Sequence, residues 1–156
     1  MTTVDKSYNS GKKSFTISED LKVYANKIAD KNKLDFKGAK IEYIFVSPYI
    51  SKSIIGKCSK PKDMYRIWFD ADYIIEISEG IWNQLTDDQK EYIMEHELRH
   101  INPIANDKTG DYKYAIRKHD ITDFWEMNDK YGTNPIKQIA QINQSYNELD
   151  RPEGAI

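Results

Sequence analysis

Apolar side chains recur at three- and four-residue steps near both ends of the chain, and β-branched and aromatic runs lie between them. Residues 1–16 are Ser, Thr, Lys and Gly without an apolar period, which predicts a poorly ordered leader extending to residue 17. Leu21, Tyr24, Ala25 and Ile28 then share one helical face. Ser18 is a good N-cap for this helix, Glu19 and Asp20 complement its dipole, and Gly38 marks its exit.

Residues 41–47 change character. They are β-branched and aromatic, and Pro48 stops them, so they read as a strand. Residues 54–58 and 65–69 read as two further strands joined through the Lys- and Pro-containing turn at 59–63. Residues 73–78 give the clearest strand of the set. Four strands so close together predict an antiparallel sheet, because parallel neighbours need long crossovers.

After Gly80 the helical period returns. Ile81, Trp82 and Leu85 form a short apolar turn, and Thr86-Asp-Asp-Gln89 fits a capping box. The helix it opens is predicted to run to about Ile101, where Asn102-Pro103 ends it. A polar segment, residues 106–118, follows. Asp120 can cap another helix carrying Ile121, Phe124, Trp125 and Tyr131, with Gly132 as its C-cap. Residues 135–149 are a weaker helical segment, whose Ile136, Ile139, Ala140 and Tyr146 can dock on the domain or on a partner. The expectation is an α+β fold: a leader at 1–17, one domain at 18–132 with an N-terminal helix, a small mostly antiparallel sheet and two later helices, and a helical or flexible tail at 133–156.

Composition narrows the class. The 156 residues fit one domain, and eleven Tyr, five Phe and three Trp supply large core side chains. No apolar run reaches the roughly 20 residues of a membrane span, and the N-terminus lacks a secretory signal. The single Cys excludes an internal disulfide or a site built on several thiolates, which points to a reducing cytoplasm. Cys58 reads as a small core hydrophobe. Net charge is −2, so no global attraction to nucleic acid is expected. Nine Lys against five acids in residues 1–40 fit a solvated first helix, and Lys57, Lys60, Lys62 and Arg66 fit a solvated hairpin.

The chemistry lies in His96-Glu97-Leu98-Arg99-His100, an H-E-x-x-H motif inside a predicted helix. Two His four residues apart share a helical face, about 6 Å apart along the axis, so both imidazoles can face one ion. Glu97 adjoins the first of them and can take a proton from water activated there. His119, the only other His, is the candidate third ligand, and Asp107 and Asp111 are rivals for that role. Tyr112, Tyr114 and Arg117 are candidates for stabilising a developing oxyanion, and Asp120 for orienting a ligand imidazole.

Residues 41–131 resemble the phage metallopeptidase family, in which a strand like Tyr43-Ile-Phe-Val-Ser47 and a Y-I-I-E-I-S strand precede H-E-L-x-H and a later H-D. His119-Asp120-x-x-x-Phe124 is similar to the third-ligand segment of SprT-type zincins, with Asp120 where those proteins commonly have Gly. The resemblance implies a zincin-like fold of phage or prophage origin. It also implies a Zn2+-dependent peptidase acting on protein or peptide substrates, its ion held by His96, His100 and His119. Zincins commonly bind substrate as an added strand, and Tyr73–Ser78 is the candidate edge. Two other classes compete: a catalytically silent binding module that inhibits a host defence protein, and a structural zinc domain. Glu97 favours catalysis, since a structural site has no use for it.

Overall fold

The computed structural model describes residues 7–118. One sheet has the order β1 (Ser7–Asn9), β2 (Ser14–Ile17), β3 (Ile41–Ser47), β5 (Tyr73–Ser78) and β4 (Gly56–Ser59). Three helices, α1 (Glu19–Lys31), α2 (Glu79–Trp82) and α3 (Asp87–Leu98), are interleaved with it. A separate hairpin, β6 (Ile101–Ala105) and β7 (Tyr112–Ile116), follows α3. Among the described residues the fold is α+β, and no helix is long and apolar enough to cross a membrane.

The sheet is mostly antiparallel, as the pattern predicts, but β3 and β5 are parallel. The reason is topological: β4 runs to the outside and returns through a helical turn, so β5 enters between β3 and β4. That crossover satisfies the length a parallel pair requires. The interior position of β5 corrects the expectation that Tyr73–Ser78 is an edge; among the described residues β4 is the outermost strand on that side.

Residues 65–69 are not a strand. Asp63–Ile67 form a 3₁₀ turn held by Tyr65 N–H to the Lys62 carbonyl (2.9 Å) and by the Trp68 and Phe69 amides to the Tyr65 carbonyl (3.1 and 2.9 Å). The leader is corrected too, since residues 7–9 and 14–17 pair as strands on the β3 side of the sheet. β1 is exposed throughout, whereas β2, Ser14-Phe15-Thr16-Ile17, is half-buried between β1 and β3 and alternates polar and apolar over only four residues.

Helix α1 begins as expected, with Ser18 Oγ accepting from the Leu21 amide (3.1 Å). It ends well before Gly38. Asn32 donates its side-chain amide to the Ile28 carbonyl (2.8 Å), and Lys33 adopts a left-handed φ of 56°, which closes the last turn. The capping box of α3 is complete: Gln89 N–H donates to Thr86 Oγ1 (3.3 Å) and Thr86 N–H to Gln89 Oε1 (2.9 Å).

Helices α1 and α3 pack on the sheet face carrying Tyr43, Ile75 and Ile77. From the helices, Leu21, Ala25, Ile28, Tyr92, Met94 and Leu98 meet them. Each large side chain so buried contributes about 1.5–3 kcal/mol, against about 0–1 kcal/mol for an exposed ion pair such as Lys31–Glu91. Packing of α3 on the sheet therefore fixes where the motif sits. Because the Thr86 cap starts this helix, Thr86→Ala is expected to lower unfolding stability by about 1 kcal/mol in urea titration.

Candidate metal centre

Helix α3 presents His96 on its partly exposed side and turns Glu97 inward, where it is 5% exposed. The helix tightens after Leu98: the His100 amide bonds the Glu97 carbonyl at 3.2 Å, and the chain enters β6 at Ile101. His100 thus lies just past the last helical residue, a full turn on from His96. The two rings stand edge to face with centroids 5.2 Å apart. His96, Glu97 and His100 can each offer one ligand atom such that all three lie within 4.8 Å of one another. Two imidazoles and a carboxylate at this separation suit a divalent cation.

The predicted polar segment at 106–118 supplies the turn and β7 of the β6–β7 hairpin, which aims His100. Arg117 N–H donates to the His100 carbonyl and His100 Nδ1 faces the Arg117 carbonyl, both at 2.7 Å. A carbonyl only accepts, so Nδ1 carries the ring proton and Nε2 presents the lone pair of the neutral ring. Nε2 is 4.0 Å from Glu97 Oε1. The hairpin is itself tied down by Tyr73 Oη donating to the Ala115 carbonyl and Tyr114 Oη to the Lys37 carbonyl, each 2.7 Å.

Glu97 packs against β4 at Gly56. A Cβ built there would lie 3.0 Å from Glu97 Cγ and Oε2. Any side chain at position 56 would push on the Glu97 carboxyl by a few tenths of an ångström, and glycine avoids that crowding. The carboxyl is pushed up from its ordinary 4.5 to about 8, because burial disfavours its charged form. A bound cation would act on it in the opposite sense. Two residues earlier, Glu95 is fully buried and accepts from Arg99 Nε at 2.8 Å.

Of the other expected site residues, Asp107 and Asp111 lie at the exposed hairpin turn, where the Asn106 amide bonds the Asp111 carbonyl at 2.7 Å. Neither belongs to the His96–Glu97–His100 group. Tyr112 is exposed beside that turn, and the Tyr114 hydroxyl is engaged by Lys37. Arg117 does reach the centre, but through its backbone. His119, Asp120, the helix predicted from Asp120 and the tail lie outside the described residues. Sequence reasoning passed over Gly56; a glycine inside a strand pattern was the available sign of a close approach.

An α+β domain that gathers two imidazoles and a buried carboxylate at the end of one helix defines a candidate metal-dependent hydrolase. A family model described as "Putative phage metallopeptidase" matches residues 13–148, and the chain belongs to that family. The family implies a metal ion and protein or peptide substrates. No curated protein and no solved structure gives a match.

Two predictions follow from this geometry. In metal-free protein, Glu97 binds its proton more tightly folded than unfolded, so its effect on stability turns unfavourable as pH rises from about 4.5 to about 8. Glu97→Gln should therefore flatten the fall in melting temperature between those pH values, measured in chelator by calorimetry. Gly56→Ala should displace the carboxylate and cost roughly 1–3 kcal/mol of stability in the same measurement.

Proposed function

We propose that this protein is a zinc-dependent peptidase in which His96, His100 and His119 hold the ion and Glu97 is the general base. The observation that carries the reading is the convergence of His96, Glu97 and His100 within 4.8 Å, in a chain of the phage metallopeptidase family. Imidazole donors favour zinc over the harder cations that select oxygen ligands. Support for His119 comes from its place in the sequence, two residues after Arg117, which is bonded twice to His100.

When bound, the ion supplies Lewis acidity towards the scissile carbonyl and towards water. Glu97 accepts a proton from the attacking water, which adds to the carbonyl carbon. As the C–N bond breaks, the same carboxyl returns the proton to the departing amine. The bond from His100 Nδ1–H to Arg117 keeps that imidazole in the tautomer whose Nε2 can ligate. β4, the outermost strand on that side among the described residues, carries Gly56 beside Glu97 and replaces Tyr73–Ser78 as the strand on which an extended substrate can pair. Host or phage proteins are the proposed substrates.

Zinc content and cleavage of a degenerate peptide library test the reading. Glu97→Gln should keep the zinc and lower cleavage by about a hundredfold or more, whereas His96→Ala should lose the zinc. His119→Ala should weaken zinc binding far more than Asp107→Ala or Asp111→Ala. A Glu97→Gln variant with undiminished cleavage contradicts the assignment of the base, and full biological effect without cleavage favours a binding module.

A further inference from the structure

The 3₁₀ turn between β4 and β5 is apolar where it meets water. Ile67 and Trp68 are 75% and 76% exposed, and Met64 and Tyr65 are exposed beside them. Large apolar residues scattered singly over a surface need no explanation, but four within five positions form a patch. Beside them lies a groove of about 490 Å³ lined by Lys60, Pro61, Lys62, Tyr65, Trp68 and Ile74.

This groove is separate from the metal centre. Gly56 and Cys58 stand opposite Ile77 and Ile75 on the sheet face that packs against α3. Ser59 stands opposite Ile74, so by the two-residue alternation of strands Ile74 lies on the other face. Occupancy of the groove is therefore independent of whether Glu97 catalyses anything.

The charges around the groove indicate its occupant. Between residues 57 and 66, Lys57, Lys60, Lys62 and Arg66 stand against the single acid Asp63. Arg66 is engaged by Asp72 at 3.0 Å, whereas Lys60 and Lys62 have no ion-pair partner among the described residues. Two lysines therefore border an apolar depression large enough for a bulky side chain. We propose that this groove docks an acidic polypeptide segment through one large apolar side chain, with Lys60 and Lys62 pairing the carboxylates that flank it. A long polyanion fits less well, because the whole chain is net negative and only the charges within about 8 Å of a short segment act on it at physiological salt.

The test uses the full chain and a fluorescein-labelled hexapeptide with a central Trp-Leu pair and two Asp on each side, read by fluorescence anisotropy. The peptide should bind at least about tenfold more tightly than versions with a Ser-Ser centre or with Lys flanks, and added salt should weaken it. Trp68→Ala should weaken binding about tenfold, as expected for an exposed aromatic anchor. The Lys60→Glu, Lys62→Glu double variant should reverse the preference towards the Lys-flanked peptide while keeping the wild-type melting temperature.

Three results would overturn the proposal. The first is peptide binding indifferent to both variants. The second is tighter, Trp68-dependent binding of an oligothymidylate or of vesicles containing phosphatidylserine. The third is no peptide binding together with cross-links from a photoreactive residue at position 67 to residues 119–156, which would assign the groove to the chain itself.

Discussion

A carboxyl group held almost entirely out of water beside two imidazoles is the constraint around which the described fold is arranged. Glu97 occupies that place where α3 lies against β4, and the glycine at position 56 leaves its carboxyl uncrowded there. Burying a carboxyl is unfavourable, which shows in the upward displacement of its proton affinity. Met94 and Leu98, fully buried on the same helix, offset that cost by anchoring α3 to the sheet. The same helix treats its two buried carboxyls differently: Glu95 is tied to Arg99, while Glu97 faces His100. The first arrangement fixes the helix, and the second leaves a group able to exchange a proton.

The hairpin after α3 supplies the other half of the site. A helix alone places His100 near His96 but leaves its ring free to turn. The β6–β7 pair brings Arg117 back to the end of α3, where its carbonyl sets the ring's tautomer. Tyr73 and Tyr114 bind the hairpin to the body of the domain, so the orientation of one imidazole rests on contacts spread over the sheet and the loop after α1. The groove at Trp68 belongs to a different part of the fold, on the opposite sheet face. The two sites can therefore be altered separately, one affecting chemistry and the other affecting what is held nearby.

Legibility in the sequence followed locality. The start of α3, the motif and the strands Ile41–Ser47 and Tyr73–Ser78 were readable because capping, helical spacing and β-branched runs are properties of neighbouring residues. Strand order was not, because inserting β5 between β3 and β4 is decided by contacts distant in sequence. Residues 65–69 have a strand's composition, yet the turn bonds to Lys62 and Tyr65 prevail and leave Trp68 in water. β1 and β2 escaped notice because one is short and exposed and the other alternates over only four residues, Ser14 to Ile17. Gly56 and the backbone of Arg117 went unread for one shared reason: both act without a side chain, and a reading built on side-chain chemistry has no purchase on them.

X-ray absorption at the zinc edge, on the full chain loaded with one equivalent of zinc, tests the central claim most directly. The account predicts an inner shell of nitrogen and oxygen only, near the roughly 2.0–2.1 Å of zinc–imidazole bonds, with the multiple scattering of three imidazole rings. Sulfur scattering near roughly 2.3 Å, or a shell without imidazole rings, would contradict it.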